Sequence, residues 1–210
     1  MDIRLDFALS YDAPDIGGRD ALVAAQPVAD HLQWWPAEAD VSIRDGWFYH
    51  ADQQPRSVQQ LTDIYFGSVG RNAVLLLNVP PDDRGLLPAA DVIRLREFRE
   101  RIGRELPEDL ARGALTTRSP GVITVDLGHS REVDRVRLAE DIRYGQPVEG
   151  VVIEAHTDGA WRRVTEAGTI GASRILLLLT PVRARRWRVR VTATRHTPHL
   201  ANFELHRSHL

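Results

Sequence analysis

The segment Trp34 to His50 carries most of the residues in this sequence that could bind or transform a ligand. Aromatic rings offer flat apolar faces, some with polar tips, and carboxylates accept hydrogen bonds from hydroxyl groups. The rings belong to Trp34, Trp35, Trp47, Phe48 and Tyr49, and the carboxylates belong to Glu38 and Asp40. A core strand would not mix these residue types so evenly. The combination instead predicts a polar and aromatic patch that holds a sugar ring.

Two parts of this segment have an ordinary structural alternative. Glu38 could pair with Arg44 or cap a backbone turn instead of serving a ligand. The adjacent Trp34 and Trp35 could pack at a junction between a strand and a loop, which is the commoner fate of neighbouring aromatic residues.

The end of the segment favours ligand contact more strongly. Trp47 and Tyr49 are predicted to lie in a loop, and loops carry a disproportionate share of binding residues. His50 could also touch a sugar, although a histidine at such a position is more often a surface residue.

The elements that position these residues alternate between strand and helix in the first half of the chain. Ser57 predicts the N-cap of a helix over residues 57–69, which Gly70 ends. A second amphipathic helix is predicted over residues 89–105. The inward residues of this helix are Val92, Leu95, Phe98 and Ile102. A short strand is also predicted near the amino terminus, with Ile3, Leu5, Phe7 and Leu9 on one face. This order is typical of an α/β layer.

Asn78 lies near the carboxyl end of an apolar run over residues 73–79. The run predicts a parallel strand that is buried on both faces. Asn78 is therefore a candidate site residue, with the alternative that it only satisfies backbone groups of the Pro80–Pro81 turn.

The second half of the chain is predicted to be almost entirely strand. Alternation in the last strand puts Trp187, Val189, Val191 and Ala193 on one face and Arg186, Arg188, Arg190 and Thr192 on the other. The six predicted strands are Val122 to Leu127, Val133 to Leu138, Val151 to Ala155, Trp161 to Val164, Ile175 to Leu179 and Trp187 to Ala193. This pattern predicts an antiparallel β-sandwich with one solvated face, so the arginines indicate solvent contact and no nucleic-acid patch.

Composition limits the classes of ligand. The 210 residues include 27 basic and 29 acidic side chains, a net charge of −2, and no cysteine. Near neutrality predicts neither a nucleic-acid nor a membrane partner, and favours a neutral or small-molecule ligand.

The spacing of His196, His199, His206 and His209 matches no metal signature, so we expect neither a metal nor a cofactor. Without an apolar run after Met1, the sequence as given predicts a soluble, cytoplasmic chain.

Two segments closely resemble the α-L-fucosidases of glycoside hydrolase family 29. The first, within residues 34–50, contains Glu38, the run Asp-Val-Ser-Ile and then Gly-Trp-Phe-Tyr-His. The second, residues 57–87, contains Gly-Arg-Asn and Leu-Leu-Asn-Val-Pro-Pro at similar spacing. The second half is similar to the carboxy-terminal β-sandwich of the same enzymes through AEDIRYGQPVEGVVIEAHTDGAWRRV and GTIGASRILLL.

The resemblance implies a fold of two parts, α/β plus all-β. Residues 1–112 would supply the carboxy-terminal portion of a (β/α)₈ barrel, which typically needs about 250 residues. Residues 113–210 would form the antiparallel β-sandwich, a jelly roll similar to galactose-binding domains. The chain would therefore be one piece of the enzyme, with an upstream polypeptide supplying the rest of the barrel or with self-association covering the open surface.

The resemblance also implies a retaining glycosidase that releases terminal α-L-fucose from a fucosylated glycan. Retention needs two carboxyl groups about 5 to 5.5 Å apart. Glu38 resembles a candidate acid/base, and Asp40, Trp34, Trp35, Trp47, Tyr49, His50 and Asn78 are the candidate substrate-binding residues. The Trp-Phe-Asp-Gly-like motif that holds the family's nucleophile is absent from the sequence, so we expect this chain alone to be inactive.

Two alternatives stay open at this point. The chain could be a carbohydrate-binding or scaffold module that derives from a fucosidase. Its location could also be secreted or periplasmic if the true amino terminus lies upstream, because enzymes of this family are often exported.

Overall fold

A computed structural model of the chain describes residues 37–210, together with Arg19, Asp20 and Val23. Within residues 37–210 there are eight strands and two α-helices. The first four elements are β1 (Glu38–Ser42), α1 (Val58–Ser68), β2 (Val74–Asn78) and α2 (Ala89–Glu105). The others are β3 (Leu115–Ser119), β4 (Val122–Glu140), β5 (Val148–Thr157), β6 (Ala160–Ala167), β7 (Arg174–Thr194) and β8 (Leu200–His206), with a 3₁₀ helix at Ile142–Tyr144. The predicted strand from Ile3 to Leu9 lies outside the described residues.

Strands β1 and β2 form a parallel pair in which Glu38 lies opposite Val74 and Ser42 lies opposite Asn78. The expectation that the segment from Trp34 to His50 contains no core strand is thus wrong for its central part. Ala39 and Ser42 are buried, and β1 pairs along its whole length with β2. The carboxyl ends of both strands meet at one edge, formed by Ser42 and Asn78, which we call the carboxyl edge.

The prediction that β2 is buried on both faces is also wrong. Val74 is 54% exposed and Leu76 is 51% exposed. Since Val74 and Leu76 are two residues apart, they lie on the same face of this two-stranded sheet, which therefore carries exposed apolar side chains. Such a face favours association with another surface.

The two predicted helices are confirmed. Helix α2 spans the predicted residues 89–105, and its inward residues Val92, Leu95, Phe98 and Ile102 are partly buried. The rings of Tyr65 and Phe98 meet edge to face at 6.2 Å and join α1 to α2. Of the helices in the described part of the chain, none is long and apolar enough to cross a membrane.

Helix α1 begins with a capping box at Ser57, as predicted for its N-cap. The Ser57 hydroxyl accepts from the backbone N–H of Gln60 at 3.2 Å, and the Gln60 side chain accepts from the backbone N–H of Ser57 at 2.8 Å. This reciprocal pair satisfies two backbone donors that a helix start otherwise leaves without a partner.

Replacement of Ser57 by alanine is expected to lower the free energy of unfolding by about 1 kcal/mol, because the Gln60 N–H loses its acceptor. Chemical denaturation followed by circular dichroism measures this change. Ser57→Asp keeps an acceptor at the N-cap and serves as the control. Equal losses in both variants would show that the cap does not stabilise the helix.

The second half forms an antiparallel sheet with the strand order β3-β4-β7-β5-β6. Strand β8 pairs with the last part of β4, residues 135–140, whereas β3 pairs with its start. Four of the predicted strands merge into the two long strands β4 and β7, whereas β3 and β8 were not predicted. Both long strands continue through irregular pairings, with register shifts between Asp126 and Arg131 and between Val133 and Arg135. A β-bulge of this kind bends a strand without ending it.

One apolar core receives side chains from both ends of the long strands. Ile123 and Val125 come from the start of β4, and Val136 and Leu138 come from its end. The alternation predicted for β7 is confirmed at its centre, where Trp187 and Val189 have no exposed surface. The described part of the antiparallel sheet therefore contributes to one continuous apolar core.

A close junction joins the α/β portion to the antiparallel sheet. The side-chain amide of Asn72 donates to Gln146 at 2.9 Å and accepts from the backbone N–H of Ala172 at 2.7 Å. Beside it, the backbone N–H of Ile175 donates to the Gly70 carbonyl at 2.9 Å. The Gly-Arg-Asn motif thus fixes the position of β2 relative to β7.

Candidate active site

Asn78 organises the carboxyl edge. Its side-chain nitrogen donates to the Ser42 hydroxyl at 3.1 Å and to the backbone carbonyl of Trp47 at 3.0 Å. It therefore connects β2 to β1 and to the loop that follows β1, residues 45–53, which we call the aromatic loop. These contacts contradict the alternative that Asn78 only satisfies backbone groups of the Pro80–Pro81 turn.

A buried ion pair lies beneath the aromatic loop. Arg44 and Asp91 are 3% and 0% exposed, and their closest side-chain atoms are 2.9 Å apart. The Arg44 guanidinium also donates to the backbone carbonyls of His50 and Gln53. Because Asp91 lies in the first turn of α2 and Arg44 follows β1, the pair fixes the loop against the helix.

The aromatic loop presents its rings at different depths. Trp47 is 51% exposed and Phe48 is 77% exposed, whereas Tyr49 is partly buried. The Arg44 guanidinium lies 5.2 Å from the centroid of the Tyr49 ring, close enough for a cation–π contact. Tyr49 is thus held in place, and the faces of Trp47 and Phe48 remain accessible to a ligand.

A cleft of about 400 Å³ opens to solvent beside the carboxyl edge. Its lining residues are Asp40, Val41, Ser42, Arg44, Gly46, Trp47, Arg56 and Ile64. Arg56 donates to the Ser42 carbonyl at 2.9 Å and so closes one side of the cleft. The size is at the lower end of small-molecule sites, which span about 300 to 1,000 Å³.

The second loop at this edge follows β2. The buried Asp82 carboxylate accepts from the backbone N–H groups of Arg84 and Leu86 at 2.9 and 3.1 Å. The Arg84 side chain also donates to this carboxylate and holds the pKa of Asp82 below its usual value. The loop is therefore well ordered, and Leu86 and Leu87 project from it with about half of their surface exposed.

The two candidate carboxylates, Glu38 and Asp40, lie at different positions along β1. Asp40 is exposed and lines the cleft. Glu38 is exposed at the amino end of the strand, four residues and therefore about 13 Å from Ser42 along the chain. Arg44 pairs with Asp91 and not with Glu38. Trp34 and Trp35 lie outside the described residues.

Sequence reasoning missed Ser42, Arg56 and Asp91, and it named Arg44 only as a possible partner of Glu38. One signal was available for Asp91, since an acidic residue in the first turn of a helix interacts favourably with the helix dipole. No comparable signal identifies Arg44. Among the described residues, no group of three or more His, Asp or Glu side chains could hold a metal ion.

The chain matches no family model, but it is similar to several known proteins. Alpha-L-fucosidase 1 of Arabidopsis thaliana is 32% identical over 198 residues, which are 79% of this chain and 39% of that protein. The crystal structure of a Bacteroides ovatus protein, provisionally assigned as an α-L-fucosidase, is 38% identical with a TM-score of 0.79, covering 97% of this chain and 35% of that one. A Ruminococcus gnavus family 29 fucosidase in complex with fucose is 29% identical with a TM-score of 0.73. The match covers 85% of this chain and 42% of that one.

These similarities span both halves of the chain. The chain in turn spans between 35% and 42% of the length of these three proteins. The quoted motifs of the first half, the parallel strands that position them and the antiparallel sheet all lie within the part of the chain that the structure describes. The chain belongs to the α-L-fucosidases of glycoside hydrolase family 29, of which it corresponds to a carboxy-terminal part.

Proposed function

We propose that this chain is part of a retaining α-L-fucosidase. In this proposal residues 1–112 contribute the last strands and helices of a (β/α)₈ barrel, and residues 113–210 form a β-sandwich. Two observations support it. Strands β1 and β2 are parallel and are connected through α1, which is the repeating unit of such a barrel. The core of the antiparallel sheet receives side chains from both ends of its long strands, as a sandwich requires.

The observation that carries the functional proposal is the convergence at the carboxyl edge. Active sites of (β/α)₈ barrels lie at the carboxyl ends of the strands. Here Asn78 connects both strand ends to the loop that exposes Trp47. In our proposal Trp47 stacks on the apolar face of fucose, Asp40 accepts hydrogen bonds from its hydroxyl groups, and Tyr49 and His50 complete this wall of the pocket.

Glu38 is the acid/base that the family resemblance suggests, but it lies at the amino end of β1, about 13 Å along the chain from the carboxyl edge. In that role it would protonate the glycosidic oxygen and then activate the water that releases fucose. Asp40 is the competing carboxylate, because it is two residues nearer to the carboxyl edge and lines the cleft. The sequence carries no Trp-Phe-Asp-Gly motif, so the nucleophile in this proposal comes from an upstream polypeptide that completes the barrel around a fucosylated glycan.

The purified chain is expected to bind fucose weakly, with a Kd of about 1 mM or higher, because one wall of a pocket supplies roughly 4 kcal/mol at most. Ligand-observed NMR measures this binding. Trp47→Ala is expected to weaken it about fivefold or more, whereas Tyr144→Ala, an exposed aromatic residue on the antiparallel sheet portion, is the matched control. Equal effects of the two variants on fucose binding would show that the carboxyl edge is not the sugar site.

The same chain is expected to release no product from a chromogenic fucoside, because retention requires two opposed carboxyl groups. Turnover that disappears in Glu38→Gln would contradict this expectation and show that the chain is catalytic by itself. Turnover restored by a separately expressed barrel portion of a relative would support the proposed completion. Fucose binding without any turnover in that mixture would favour the carbohydrate-binding module.

A further inference from the structure

One side of the antiparallel sheet presents a row of arginines. Arg186, Arg188 and Arg190 alternate along β7 with the buried Trp187 and Val189, so they project from the opposite side of the sheet. Successive side chains on one side of a strand are about 7 Å apart. We call this row, together with its neighbours on β5 and β6, the arginine face.

Positive charge on the arginine face exceeds negative charge. Arg188 and Arg190 share one carboxylate, that of Glu154, at 2.6 and 3.5 Å. The hydrogen bond from Arg188 lowers the pKa of Glu154 despite its burial, so this group stays ionised at neutral pH. Arg186 contacts no carboxylate within the described residues and lies 3.0 Å from a ring nitrogen of His156. Three guanidinium groups thus face a single carboxylate.

The neighbouring charges on the sheet are already matched. The Asp126 carboxylate lies on β4 across from Arg186 in the pairing, but it is held by the Arg185 side chain at 2.7 and 3.0 Å. On β6, Arg163 pairs with Glu166 at 2.9 Å. Arg186 also helps to lower the pKa of Asp126, but Arg185 already balances this carboxylate, so the row keeps its excess of positive charge.

An indole ring fixes the geometry of the arginine face. The guanidinium carbon of Arg188 lies 4.4 Å from the centroid of the Trp161 ring, and the His156 ring meets Trp161 edge to face at 5.3 Å. Arg188 is 26% exposed as a result, with its plane held in one position. A guanidinium that is held in this way loses little entropy when it binds an oxyanion.

We propose that the arginine face binds an anionic oligosaccharide through sulfate-ester or carboxylate groups. Guanidinium groups bind planar or tetrahedral oxyanions through paired N–H donors. The family acts on carbohydrate, which makes a glycan the consistent partner. A nucleic acid fits less well, because the Trp161 face is covered by Arg188 and is not free to stack on a base. The choice of a glycan rests on family membership, so failure of the proposed fucosidase activity of this chain would leave the inference standing.

The test compares Arg186→Gln/Arg190→Gln with Arg96→Gln/Arg99→Gln, which makes the same charge change on exposed positions of α2. Binding to dextran sulfate, polygalacturonate, neutral dextran and single-stranded DNA is measured by calorimetry at about 50 and 200 mM salt, because electrostatic binding weakens with salt. The intact chain is expected to bind at least one anionic polysaccharide and not neutral dextran. Whichever of the two binds identifies sulfate or carboxylate as the recognised group.

The arginine-face variant is expected to bind the anionic polysaccharide about tenfold more weakly, which corresponds to about 1.4 kcal/mol, and the α2 variant to change less than about twofold. Both variants alter exposed side chains, and thermal unfolding checks that they remain folded. Three results would overturn the proposal: equal losses in the two variants, no binding to either anionic polysaccharide, or equally tight binding of DNA that is lost in the same variant.

Discussion

Replacement of Gly171 by alanine is expected to lower the free energy of unfolding by about 3 kcal/mol or more. Gly171 has a φ of +64°, and a Cβ atom built there would lie 2.1 to 2.2 Å from the side-chain amide atoms of Asn72. The left-handed conformation alone costs a residue with a Cβ about 1 to 2 kcal/mol. Displacement of a packed group adds about 1 to 3 kcal/mol.

The Asn72 amide cannot move away without loss, because it donates to Gln146 and accepts from the Ala172 N–H. Each of these hydrogen bonds contributes about 1 kcal/mol. The substitution therefore weakens the junction between the α/β portion and the antiparallel sheet, and not only a local turn.

Gly159→Ala is the matched control for this prediction. Gly159 has a φ of +77°, and a Cβ atom there would meet no atom within 4 Å. Its cost is expected to be the conformational part alone, about 1 to 2 kcal/mol. In an Asn72→Gly background, Gly171→Ala should then cost no more than Gly159→Ala. Urea denaturation measures all four variants, and equal losses from Gly171→Ala with and without Asn72 would contradict the steric explanation.

The helices were predictable from the sequence because their signals are local. The Ser57 capping box and the apolar positions of α2 lie within one or two turns of the helix that they specify. Strand β1 carries no such signal. Its five residues become a strand through parallel pairing with Val74–Asn78, which lie 36 positions further along the chain. Composition alone therefore argued against a core strand there.

The long strands show a second limit of sequence reasoning. Gly128 has a φ of +79°, and its N–H donates to Asp126 at 2.8 Å, a local arrangement typical of a turn. In the structure this irregularity lies inside β4, which continues to Glu140 because β7 pairs with it on both sides of the bulge. Turn-forming residues indicate where a chain deviates but not whether its pairing ends there.

The sequence pointed to Trp47 and Asn78, which the structure places together at the carboxyl edge, but not to the buried ion pair beneath the loop. Trp47 and Asn78 have side chains whose chemistry and position in the sequence indicate a role. Arg44 and Asp91 are 47 residues apart, and each resembles an ordinary surface charge in the sequence. Only the fold brings them together in a buried position, where an ion pair cannot be predicted from spacing.

Replacement of Asp91 by alanine is expected to lower the free energy of unfolding by about 3 to 5 kcal/mol, because it leaves the Arg44 guanidinium buried without a counter-charge. The pair is 3% and 0% exposed. Glu166→Ala is the control, since it breaks the exposed pair with Arg163 and should cost less than about 1 kcal/mol. Urea denaturation of both variants measures the difference, and similar losses would mean that Arg44 finds solvent or another partner.

A double variant separates the stability of the fold from the position of the aromatic loop. Arg44→Met/Asp91→Leu replaces the ion pair by apolar side chains, which commonly restores stability to within about 1 kcal/mol of the original or better. It still removes the donors that hold the His50 and Gln53 carbonyls and the cation that contacts Tyr49. We therefore expect a folded protein whose fucose binding, followed by ligand-observed NMR, is weakened as much as in Trp47→Ala. Undiminished binding in this folded variant would show that the loop keeps its shape without Arg44, and that Asn78 alone positions Trp47.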